Sequence, residues 1–99
     1  MRPFRLTPAA EDDLFDIWSF IARDNQEAAD RLQTELLAAC QRVADKPDTG
    51  HWRRDLTDKP VRFFTVRQTY LIVYDPASQP LAVIRLLHGA RDVSAQLEE

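Results

Sequence analysis

The chain has 99 residues, 44% of them hydrophobic and 29% charged, with a net charge of −3 and one cysteine. That is a single domain, 1–99, of ordinary globular make-up, long enough to bury roughly 60–70% of the surface its unfolded form exposes. Cys40 alone excludes an internal disulfide and fits a reducing compartment. No apolar run approaches the roughly 20 residues of a membrane span, and residues 1–8 lack the apolar stretch of a signal peptide, so a cytoplasmic location is expected.

Charge is unevenly spread. Residues 1–50 hold 6 Lys/Arg against 10 Asp/Glu, whereas residues 51–91 hold 7 against 3. Net acidity makes direct nucleic-acid binding by the chain alone an unfavoured expectation, and any anionic partner should meet the second half.

In chain order, Phe4–Leu6 is a short strand candidate. Thr7-Pro8 reads as an N-cap followed by proline at the first helical position. Glu11, Asp12, Asp13 and Asp16 then suit the early turns of a helix, where the dipole favours negative charge. Leu14, Ile17, Trp18 and Ile21 form one apolar stripe. Phe15 and Phe20 lie off that stripe; packing beside it is expected, exposure being the sign of a partner groove. Asp24-Asn25 breaks the helix, with Asp24 and Glu27 spaced as a capping box for a second one. Ala29, Leu32, Leu36, Cys40 and Val43 give that helix its buried face, and so short a link makes the two helices antiparallel neighbours.

Residues 47–60 read as a connecting loop containing His51-Trp52-Arg53-Arg54, with Trp52 expected to pack. Val61–Val66, Tyr70–Tyr74 and Leu81–His88 have strand composition, separated by turns at 67–69 and 75–80. The unbroken apolar run Leu71-Ile72-Val73 reads as a middle strand either covered on both faces or central in the sheet. An α+β fold follows: an N-terminal strand and an antiparallel helical hairpin packed on an antiparallel sheet (β-α-α-β-β-β), then a short C-terminal helix or tail beginning near Arg91-Asp92.

Few residues offer chemistry. His88 is either a general acid/base at a strand end or simply a strand-end residue before the exit turn at Gly89; the second reading is favoured, since no partner motif accompanies it. Arg85 stands between Ile84 and Leu86 in an apolar strand, so its guanidinium needs either a binding partner or an internal ion pair. Arg53, Arg54, Arg62 and Arg67 form either an anion-facing surface or a solvated face, with Asp55 and Asp58 near enough in sequence to pair. Two histidines and two glycines leave no metal spacing and no phosphate-cradling loop, so no metal, cofactor or catalytic residue is assigned.

Five stretches, taken together and in order, resemble the ParE branch of the RelE/ParE superfamily, the toxin half of bacterial type II toxin–antitoxin pairs. They are Leu6-Thr7-Pro8 leading to Asp13-Leu14 and Ile17-Trp18; Ala28-Ala29-Asp30-Arg31-Leu32; Pro47-Asp48-Thr49-Gly50; Tyr70-Leu71-Ile72-Val73-Tyr74; and Ile84-Arg85-Leu86-Leu87-His88-Gly89-Ala90-Arg91-Asp92. The resemblance implies the fold just derived and a role in plasmid stabilisation by non-catalytic inhibition of DNA gyrase. It also implies neutralisation by a ParD-like antitoxin in a toxin–antitoxin hetero-oligomer. Arg62, Arg85, His88 and Arg91 are then the expected target-binding surface, and Phe15, Trp18, Arg62 and Arg85 the expected antitoxin contacts. The alternatives are a RelE-type ribosome-dependent mRNA endonuclease and a non-toxic antitoxin-binding module. One departure stands out: Arg67-Gln68-Thr69 occupies a hairpin turn where a glycine is expected.

Overall fold

The computed structural model of the chain describes residues 1–89 and 93–98. The elements are β1 (Phe4–Leu6), α1 (Pro8–Ala22), α2 (Gln26–Asp45), a 3-10 turn (Pro47–Thr49), β2 (His51–Trp52), β3 (Arg62–Val66), β4 (Tyr70–Asp75), β5 (Leu81–His88) and α3 (Val93–Leu97). The strands make one sheet in the order β1-β5-β4-β3-β2. The expected strand, helical hairpin and meander are all present. Two features refine that architecture: β1 pairs with β5 in parallel, Phe4 opposite Leu81, and the 47–60 segment is not all loop, because His51 and Trp52 pair with Phe63 and Arg62. The expected start of the C-terminal helix at Arg91-Asp92 lies outside the described residues.

The sheet is covered on both faces. The α1–α2 hairpin brings Leu14, Leu32, Leu36, Cys40 and Val43 against Ile72, Tyr74, Val83 and Leu86. On the other face, Phe63, Leu71, Val73 and Leu87 pack beneath Val93 and Leu97 of α3. Central β4 supplies alternate residues to each cluster, so its apolar run is that of a strand with no solvated side. Burial pushes the Cys40 thiol up to about 12, which makes it an inert core residue.

Local chemistry sets the helix ends. The Ala10 N–H donates to Thr7 Oγ1 at 3.1 Å, with Pro8 opening α1. The cap of α2 is Asn25 rather than Asp24: the Ala28 N–H donates to Asn25 Oδ1 at 3.0 Å. The N–H groups of both Asp24 and Asn25 still donate to the Ile21 carbonyl, so the chain leaves α1 one residue later than the capping-box spacing implied.

The turn between β3 and β4 lacks its glycine at a structural cost. Arg67 and Gln68 have φ of 56° and 59°, and the Thr69 N–H donates to the Val66 carbonyl at 3.1 Å. Left-handed backbone costs a residue with a Cβ about 1–2 kcal/mol. Arg67 offsets part of this through its Nε contact of 2.6 Å with Glu35 of α2.

At the opposite end of β4 a buried hydroxyl organises the 3-10 turn. Tyr74 Oη donates to the Pro47 carbonyl at 2.6 Å and accepts the Gly50 N–H at 2.8 Å. Desolvation raises the Tyr74 pKa, keeping the hydroxyl in its donating form. A Cβ on Gly50 would stand 2.5 Å from that hydroxyl and 2.9 Å from the Phe63 carbonyl, so the motif at 47–50 needs glycine for close approach. Removing the hydroxyl in Tyr74→Phe strands two backbone groups and should cost about 2–3 kcal/mol in urea denaturation. A variant as stable as the parent would contradict this role.

Candidate functional site

Past the end of β1, the outer edge of β5 has no strand beside it among the described residues, and α1 closes it instead. Thr7 Oγ1 donates to the Ile84 carbonyl at 2.7 Å, and the Leu86 N–H donates to Asp13 Oδ2 at 3.0 Å. The same carboxylate receives Arg85 in a two-pronged pair, Nε to Oδ2 at 2.7 Å and Nη2 to Oδ1 at 3.0 Å. Arg85 Nη1 reaches on to the Gln96 carbonyl of α3 at 3.1 Å. One arginine therefore joins α1 on one side of the sheet to α3 on the other. The two side chains are only 17% and 14% exposed. Of the two readings open for Arg85, an internal ion pair is the one formed.

Arg62 is also bound up in the fold. Its Nη1 donates to the Gly50 carbonyl at 2.7 Å, Nη2 lies 3.7 Å from Asp48, and the guanidinium stacks 4.5 Å from the Trp52 ring centre. Its Nε is buried and has no hydrogen-bond partner. His88 meets Tyr70 edge-to-face with ring centres 5.5 Å apart. These three do not converge on one surface. Arg62 is opposite Tyr74, Arg85 opposite Val73 and His88 opposite Tyr70, so β4 separates Arg62 from the other two. Arg91 lies outside the described residues.

The aromatic residues of α1 divide between interior and surface. Trp18 is half-buried, its Nε1–H donating to Asp30 of α2 at 2.8 Å. Phe15 and Phe20 are 65% and 71% exposed, so the expected packing beside the stripe does not occur. Asp13 and Thr7 fix the roll of α1 over the β5 edge, and this roll turns both phenylalanines outward. With Arg23, Tyr70, Leu86 and His88 they line a groove of about 710 Å³ between α1 and the end of β5. A second groove, about 670 Å³, runs from Arg53 and Thr65 past Leu71 and His88 to Ser94. Phe20 was not among the expected partner contacts, although its off-stripe position was the same signal that singled out Phe15. Trp52, expected to pack, is 42% exposed.

Among the described residues no three His, Cys, Asp or Glu side chains stand close enough to hold a metal ion. The most buried cation among the described residues, Arg85, is committed to Asp13. Breaking a buried pair from one side costs about 3–5 kcal/mol because the other charge is left uncompensated. Asp13→Ala and Arg85→Gln should each destabilise by about 2–4 kcal/mol, scaled down for partial exposure. Together they should cost less than their sum by about 1–3 kcal/mol in urea denaturation. Strict additivity would refute the coupling.

A family model described as the ParE toxin of type II toxin–antitoxin system, parDE, matches residues 4–93. No curated protein is similar enough in sequence to count as a match. A solved structure titled the chromosomal ParDE TA system from P. aeruginosa is similar to this chain with a TM-score of 0.71 at 16% identity, covering 89% of this chain and 96% of that one. At that identity the likeness speaks for the fold. With nearly the whole chain matched by the family model and the fold shared, the chain belongs to the ParE toxin family of type II toxin–antitoxin systems.

Proposed function

We propose that this toxin inhibits DNA gyrase by binding, without chemistry of its own, and is silenced by a ParD-like antitoxin. The observation that supports the non-catalytic part is the commitment of Arg85 to the Asp13 carboxylate and the Gln96 carbonyl, with Asp13 also accepting the Leu86 N–H. An endonuclease of the RelE type needs cations poised on a reacting phosphate and a group to activate the attacking hydroxyl. Here Arg62 and Arg85 are held by backbone carbonyls and carboxylates, and His88 sits against Tyr70.

The antitoxin part is supported by the groove beside α1. Phe15 and Phe20 present apolar area to solvent next to the edge of β5, the arrangement that an amphipathic or extended segment covers on folding against a partner. Asp16 and Arg23 at the same groove supply charges of both signs for fixing its register. Trp18 enters this reading only as the residue that, through Asp30, ties α1 to α2; Phe20 takes its place as a contact.

Purified toxin, added to gyrase and supercoiled plasmid, should accumulate cleaved DNA, and a ParD-like antitoxin should abolish the effect. Toxin that arrests growth yet leaves gyrase untouched would refute the target. Codon-associated mRNA cuts in the arrested cells would install the endonuclease in its place.

A further inference from the structure

The β2 edge brings a partly exposed tryptophan together with two arginines. Trp52 is one of two tryptophans in the chain and sits on a two-residue strand at the outer end of the sheet. Its indole is flanked by two guanidinium groups, Arg62 at 4.5 Å and Arg54 at 5.3 Å from the ring centre. Despite them, the residue remains 42% exposed.

The arginines around it differ in what holds them. Arg53 is neutralised by Asp55 through two hydrogen bonds of 3.0 and 2.8 Å. Arg62 is anchored to the Gly50 carbonyl. Arg54 has only the Asp58 carbonyl at 3.3 Å and belongs to none of the ion pairs formed among the described residues. The cause is local. The Leu56 and Thr57 N–H groups close a turn onto the Arg53 carbonyl, which places Arg54 at the turn's outer corner. Two cations thus converge on one partly exposed tryptophan, and among the described residues the only carboxylate paired with either is Asp48, itself 97% exposed.

We propose that this edge is a contact site for single-stranded DNA: an unpaired base packs against the part of the Trp52 indole that the two guanidinium groups leave open, while its phosphate meets Arg54. Aromatic faces accept any unstacked base, and adjacent guanidinium groups supply both backbone neutralisation and stacking. A duplex keeps its base faces covered, so an isolated edge tryptophan selects an unpaired strand. Of the basic excess in residues 51–91, Arg53, Arg67 and Arg85 are paired with Asp55, Glu35 and Asp13, so the charge offered to the phosphate at this edge is that of Arg54. The choice of DNA over RNA rests on the gyrase reading, because cleaved and opened DNA is what that target would present; the site itself does not depend on it.

The test uses the full chain with Trp18→Phe, which leaves Trp52 as the only tryptophan. Titration with a 20-nucleotide oligo-dT should quench Trp52 emission. Binding should weaken as salt rises, with a log–log slope between about −0.7 and −1.4 for one or two phosphates. In the unmodified background, Trp52→Leu and Arg54→Gln should each reduce affinity at least about fivefold. Arg31→Gln, which removes the same charge from the exposed face of α2, should change it less than twofold. Circular dichroism melting curves of the variants, matched to the parent, exclude unfolding as the cause. Absence of quenching, or equal losses from Arg31→Gln and Arg54→Gln, would overturn the site. Tighter binding of oligo-U would overturn the choice of DNA. Oligo-dT binding by a chain inactive on gyrase would uphold this site while removing the proposed target.

Discussion

The Asp13 carboxylate is the constraint on which most of the structure turns. It takes one hydrogen bond from the backbone of β5 and two from the Arg85 side chain, where the edge of the sheet has outrun its neighbouring strand. An open edge must have its backbone groups satisfied or covered, and here a helix supplies the missing acceptor. Asp13 lies one turn or less beyond Ala10 and beside Leu14, both of which face the core, so the carboxylate fixes both the height and the roll of α1. Arg85 then carries the connection through to α3 and closes the second face. An ion pair of this kind contributes little net stability compared with an apolar replacement, yet removing one member is expensive, and its more evident role is to specify one packing.

The exposed surfaces follow from that roll. With Asp13 turned to the sheet, Phe15 and Phe20 are carried to the outside, where they border a groove beside the β5 edge. At the far end of the sheet the Tyr74 hydroxyl and Arg62 pull the 47–52 segment down onto β3, and Trp52 is left at the margin with Arg54 beside it. The molecule therefore offers an apolar, mixed-charge surface at one edge and a basic, aromatic one at the other. In our reading the first receives the antitoxin and the second meets an anionic partner.

Much of the fold is written in local pattern. Thr7-Pro8, the helical stripes, and the turn-bounded apolar runs of the meander depend on near neighbours and read correctly from them. What resists reading is set by contacts distant in sequence. Arg85 could equally have faced a ligand or an acid, and its partner lies 72 positions away. The parallel pairing of β1 depends on where α1 returns the chain. The capping of α2 turned on which of two adjacent residues, Asp24 or Asn25, leaves the preceding helix first. Phe15 and Phe20 were ambiguous because apolar residues beside a stripe are buried or exposed according to helix roll, which Asp13 decides. The glycine missing from the 67–69 turn is a case where the expectation was physically sound and the chain bears the cost.

The most direct test of this account is native-state hydrogen exchange at the Leu86 amide, the edge N–H that Asp13 is said to satisfy. In the parent chain it should exchange with the slowest amides of β4, opening only with the whole domain. Asp13→Ala should release it selectively, ahead of the amides that β4 and β5 share. Rapid exchange of Leu86 in the parent, at the rate of an unprotected strand edge, would contradict the anchoring role of Asp13 and the orientation of α1 derived from it.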